Sequence, residues 1–131
     1  MKDPTILLYN FSREEVGKLR FVLRMFPAIR VLSVEPSDQT LLLGEVLAGK
    51  KAALGIPARE FQRRMLVLAY AQGSMVHFLL GACGQITQEK VLRAMLTDTN
   101  VNWSGLELYE NLVEEERELA AYQIQQQKKQ K

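Results

Sequence analysis

Two side chains able to act as nucleophile or base stand near each other in the chain, Cys83 and His77, and each is the sole residue of its type. Six positions apart on one helix, they are separated by about two turns, which argues against a nucleophile–base pair. Their neighbours are apolar: His77 sits in Met75-Val76-His77-Phe78-Leu79-Leu80, and Cys83 ends Leu79-Leu80-Gly81-Ala82-Cys83. Cys83 therefore reads as a small buried apolar residue and His77 as a packed or interface residue. No paired carboxylates stand out, and one cysteine with one histidine falls short of a structural zinc cluster. The sequence assigns no catalytic residue, no metal ligand and no cofactor.

Hydroxyl and amide side chains collect instead where apolar runs end. Asn10 and Ser12 follow Ile6-Leu7-Leu8-Tyr9, Gln72 and Ser74 follow Met65 to Tyr70, and Thr97, Asp98, Thr99, Asn100, Asn102 and Trp103 follow Val91 to Leu96. On one edge of a parallel sheet these ten residues would form a rim suited to a small polar ligand. The competing reading is structural: loops are polar, and Ser12, Ser74, Asn102 and Ser104 are placed to cap helices. Phosphate fits poorly. Gln72-Gly73-Ser74 leads into a helix with no acid in its first turn, yet no G-x-G-x-x-G follows the first strand and no G-x-x-x-x-G-K-[ST] occurs.

The elements that position these residues follow from hydrophobic spacing. Ile6 to Tyr9 is a continuous apolar run, the mark of a strand covered on both faces. Ser12 with Glu15 forms a capping box, and Val16, Leu19, Val22, Leu23 and Phe26 recur at helical spacing until Pro27. Ile29 to Val34, interrupted by Arg30 and Ser33, predicts a strand nearer the edge, and Thr40 to Ala48 a short helix ended by Gly49. Lys50 to Arg64 is a connector in which Pro57 starts one helical turn through Phe61. The pattern then returns: an apolar strand from Met65 to Tyr70, a helix from Met75 to Cys83, a mixed strand from Val91 to Leu96, and a long helix from Trp103 onward.

Both halves, 4–49 and 64–113, thus read apolar strand, helix, mixed strand, loop, helix, offset by roughly sixty residues. Leu7 falls on Leu68, Tyr9 on Tyr70, Val31 on Leu92 and Val34 on Met95. The expected fold is an α/β domain spanning 1–131: a duplicated βαβα unit, a small mainly parallel four-stranded sheet of order 2-1-3-4, helices on both faces. With all strands parallel, Asn10 and Gln72 would flank the crevice where strand order reverses. The alternative is a ferredoxin-like α+β sandwich of order 4-1-3-2. Beyond Val113 the last helix turns polar over 114–131, with Leu112, Leu119 and Tyr122 leaving only a broken heptad seam, so a projecting end is expected rather than a coiled coil.

Composition bounds the partners. Seventeen basic and fifteen acidic residues give a net charge of +2, too even for a nucleic-acid surface. Met65 to Gln88 has no formal charge, but Gln72-Gly73-Ser74 in its middle fits strand, turn and helix better than a membrane span. Met1-Lys2-Asp3-Pro4 lacks the character of a signal peptide. The expectation is a cytoplasmic protein that binds neither nucleic acid nor membrane. The helix from Met75 to Cys83 has almost no polar face, and a helix apolar all round is buried all round, which predicts a homodimer formed through it.

The segment Arg93-Ala94-Met95-Leu96-Thr97-Asp98-Thr99-Asn100-Val101-Asn102-Trp103, followed by Leu106 to Leu112, resembles the signature of bacterial domain-of-unknown-function family 3783. That signature is a basic residue, a short apolar strand, Thr-x-Thr-Asn, then Asn-Trp and a helix. In the first half, Glu35 to Thr40 falls where Thr-x-Thr-Asn would stand, and Asp98 replaces a frequent proline. The resemblance implies no activity; it singles out Thr97, Thr99, Asn100, Asn102 and Trp103, whose hydroxyls and amides can equally lock a strand-to-helix turn. The first functional reading is a non-catalytic interaction or small-ligand-sensing module. An enzyme acting on a small polar substrate at the strand ends is the second.

Overall fold

The two wholly apolar runs become the two central strands, and helices cover them above and below. A computed structural model describes residues 2–52, 61–87 and 89–129; the helical turn expected from Pro57 through Glu60 lies outside them. The elements are β1 (Thr5–Tyr9), α1 (Arg13–Val22), β2 (Arg30–Val34), α2 (Leu43–Leu47), β3 (Met65–Ala69), α3 (Ser74–Gly84), β4 (Leu92–Met95) and α4 (Gly105–Lys129), with 3-10 turns at Pro36–Asp38 and Asn100–Asn102. The sheet order is β2-β1-β3-β4, and β1–β2 and β3–β4 are parallel pairs. A ferredoxin-like order is thereby excluded.

The central pair departs from the all-parallel expectation. β1 and β3 are antiparallel, with Thr5 opposite Ala69, Leu7 opposite Val67 and Tyr9 opposite Met65. The sheet is therefore mixed, parallel except at its centre. Burial on both faces is indifferent to strand direction, so the apolar runs could set order but not polarity. One end of the sheet carries Tyr9, Val34, Met65 and Leu92; the other carries Thr5, Arg30, Leu68 and Met95.

Side chains alternate between two cores. Ile6, Leu8, Leu66 and Leu68 meet Val16, Leu19 and Leu23 near α1 and Leu79, Ala82 and Cys83 of α3. On the opposite face Leu7, Tyr9, Val67 and Leu92 meet Leu43, Val46 and Leu47 of α2 and Leu108 of α4. Each fully buried aliphatic side chain contributes about 2 kcal/mol of hydrophobic transfer free energy, which is what holds five-residue strands in a four-layer stack.

An antiparallel centre flanked by equivalent parallel pairs relates the halves by an approximate two-fold axis normal to the sheet. The match is visible in the backbone. Asn10 and Tyr70, sixty positions apart, are the two non-glycine residues with positive φ among the described residues, at 65° and 62°. Leu43 N–H donates to Trp103 O at 2.9 Å, and Gly105 N–H donates to Leu41 O at 3.3 Å, a pair of bonds exchanged by the same axis with an offset of 62. The sequence alignment of Leu7 with Leu68 and Tyr9 with Tyr70 is thus one residue out for the central strands. An odd shift would move every side chain to the other core.

Candidate functional site

The ten candidate residues do not share one rim. Asn10 and Ser12 leave β1 at the Tyr9 end, whereas Gln72, Ser74 and the Thr97–Trp103 segment gather at the Thr5 end. The antiparallel centre is the reason: it sends β1 and β3 out of opposite ends, so Asn10 and Gln72 cannot flank one crevice.

At the Tyr9 end the polar groups tie elements together. Asn10 Nδ2 donates to Phe61 O at 2.9 Å, pinning the incoming connector beside β1. Ser12 caps α1: Glu15 N–H donates to its Oγ, and its own N–H donates to Glu15 Oε1 at 2.8 Å. Arg64 Nε donates to the same carboxylate at 2.9 Å and Arg64 also pairs with Glu89. Burial opposes ionisation of Glu15, but the Ser12 backbone N–H and the Arg64 guanidinium outweigh it and hold the carboxyl below its usual range. Arg64, unnoticed in the sequence, is the hub that joins the two halves here.

At the Thr5 end Gln72, Thr97 and Asp98 line a shallow depression of about 450 Å³ with Lys2, Tyr70 and Met95. Lys2 Nζ lies 4.9 Å from the Tyr70 ring centroid, a cation–π contact the sequence gave no hint of. Ser74 is the first residue of α3 and not its cap; Gly73, at φ 59°, holds that position without a side-chain bond. Asn100 is buried and bonded to Thr97 and Met95, while Asp98, Thr99 and Asn102 are exposed. Asn102 does not cap α4: Ser104 does, in a box with Glu107. Trp103 packs half-buried in the α2–α4 core. In the first half Asp38 takes the place of Asn100, buried, its carboxylate accepting from Ala52 N–H at 2.8 Å.

His77 and Cys83 lie on different sides of α3, His77 exposed and Cys83 buried. Burial pushes the Cys83 thiol up to about 11, slightly offset by the Arg93 charge, so a reactive thiolate is disfavoured. Among the described residues no three His, Cys, Asp or Glu side chains converge to hold a metal, and no helix is long and apolar enough to cross a membrane.

Exposed hydrophobic side chains form the other notable surface. Phe21 is 64 % exposed, Met25 75 %, Phe26 45 % and Phe78 40 %. Phe26 and Phe78 meet edge-on, ring centroids 5.0 Å apart, joining the end of α1 to α3. Arg24 stacks over the Phe21 ring at 4.0 Å. Only one side of α3 is thus buried, through Leu79, Ala82 and Cys83; the expectation of burial all round is corrected within one chain.

The fold and these surfaces define a small α/β protein of duplicated strand–helix units, with its polar turns committed to structure. Residues 64–119, from the end of the connector into α4, match the family described as Domain of unknown function (DUF3783), and that segment of the chain belongs to it. No curated protein and no solved structure matches the chain.

Proposed function

We propose that the protein is a non-catalytic, cytoplasmic interaction module that self-associates through the α1–α3 face near Met75–Cys83. The observation that carries this reading is the cluster of Phe21, Met25, Phe26 and Phe78 left in water, since contiguous exposed aromatics mark interaction surfaces. The hydroxyls and amides expected to bind a ligand support it from the other side. Ser12, Asn10, Thr97 and Asn100 spend their hydrogen bonds on caps and turns. Sedimentation of the chain from about 1 µM to about 1 mM tests it. A dimer that Met25→Asp returns to monomer is expected; a monomer throughout overturns the reading.

A small-ligand reading has one observation in its favour, the depression holding Gln72, Thr97 and Asp98 beside Lys2. A thermal-shift screen of polar metabolites tests it. Stabilisation by one of them that Asp98→Ala removes would support it, and no shift would dismiss it.

A further inference from the structure

α4 is far longer than its counterpart. The two-fold maps α2, Leu43–Leu47, onto the first five residues of α4, which then continues to Lys129. Over its first three turns α4 buries Leu108 and packs Tyr109, Leu112 and Val113 on the sheet. Glu116, paired with Arg63 and Lys90, marks the last contact with the sheet end. The thirteen residues from Arg117 to Lys129 extend about 20 Å further. The sheet-facing stripe does not stop at Glu116. Leu119, 56 % exposed, and Ile124, 54 % exposed, continue the rows of Leu112 and Val113 by helical spacing, with Ala120 between them.

Two unpartnered apolar surfaces therefore exist, and their surroundings carry opposite charge. From Gly17 to Val34 every charged residue is basic, Lys18, Arg20, Arg24 and Arg30, and α3 bears no charge at all. The outer part of α4 carries exposed Glu114, Glu115 and Glu118. Patch against patch would oppose arginines, and tail against tail would oppose glutamates; patch against tail is complementary. The tail cannot reach its own patch. It leaves the molecule at the Tyr9 end beside Arg63 and Lys90, on the α2 side, whereas Phe26 and Phe78 lie at the Thr5 end on the other side.

We propose that the outer turns of α4 dock on the α1–α3 patch of a second copy, each chain giving its helix to the other. A copy turned end for end brings both tails onto both patches at once, which closes a two-fold dimer. The proposal rests on the self-association reading above and names the element that fills the patch.

Sedimentation of two full-length variants and their mixture is the test. Leu119→Asp/Ile124→Asp spoils the tail and Met25→Asp spoils the patch, all at exposed positions, with circular dichroism confirming the fold of each. Each variant alone is expected to lose the dimer. Mixed, they re-form a heterodimer held by the one intact tail and the one intact patch. A tail variant that stays dimeric while Met25→Asp is monomeric overturns the helix exchange and leaves the α1–α3 reading standing. A patch variant that stays dimeric while the tail variant is monomeric shows tails pairing with tails and overturns both. A mixture of two monomers that does not associate also refutes the exchange.

Discussion

Thr97 and Asn100 hold each other twice: Thr97 N–H donates to Asn100 Oδ1 at 2.8 Å, and Asn100 N–H donates to Thr97 Oγ1 at 3.0 Å. A third bond, from Asn100 Nδ2 to Met95 O at 2.9 Å, ties the turn to β4. Asn100→Ala removes two of the three and leaves their partners unpaired beside a buried site, at a cost of about 2 kcal/mol. A lower urea midpoint at unchanged slope is the expected result. An unchanged midpoint would mean that the asparagine is not a turn lock.

Tyr9 and Gly105 share one space. A methyl group at Gly105 would lie 2.4 Å from Tyr9 Cε1, and the ring cannot retreat because it is fully buried and stacked near Phe61. Gly105→Ala is expected to destabilise by about 3 kcal/mol through overpacking. The Tyr9 hydroxyl has no hydrogen-bond partner among the described residues, and burial, with the Asp38 carboxylate nearby, raises its pKa. Tyr9→Phe removes that orphaned group, so thermal unfolding should show a melting point equal to or above that of the parent.

Acid should loosen the junction of the two halves. Glu15 has a lowered pKa in the fold, so its contribution is complete above the unfolded carboxylate range, near pH 4.3, and is lost as pH falls through the folded value. Stability measured by urea should hold between about pH 7 and 5 and decline below about pH 4. Glu15→Gln should be less stable at neutral pH and show a shallower acid decline. Equal acid slopes in parent and variant would exclude Glu15 as a source.

The two sides of α3 should respond oppositely to substitution. Leu79 is fully buried, and Leu79→Ala should cost between about 2 and 5 kcal/mol. Met25→Asp, at the exposed end of α1, should change the stability of the monomer by no more than about 0.5 kcal/mol. Chemical denaturation in dilute solution distinguishes the two; a large loss in Met25→Asp would give the patch a folding role.

Periodicity carried much of the fold. Continuous apolar runs placed β1 and β3 at the centre, and Arg30, Ser33 and Arg93 marked β2 and β4 as edges. The box of Ser12 and Glu15 located the start of α1. Strand polarity was not legible, because direction depends on how the connector returns, and a strand buried on both faces reads alike either way. Tyr9 and Tyr70 misled for a local reason. They look alike, yet Tyr9 ends β1 inside a core while Tyr70 has turned out of β3 with positive φ. The rim failed with the polarity, although Gln72 and the Thr97 segment did fall together. α3 was overread because a mean apolar character cannot tell a buried Leu79 from an exposed Phe78.

The antiparallel junction of β1 and β3 makes each repeat an incomplete building block. Residues 64–119 contain β3 and β4, but the hydrogen-bonding edge of β3 that β1 occupies would lie bare in any molecule made of that stretch alone. Such a half-length protein would have to recruit a twin across this edge to be stable. In the present chain, covalent tethering supplies that twin at every concentration.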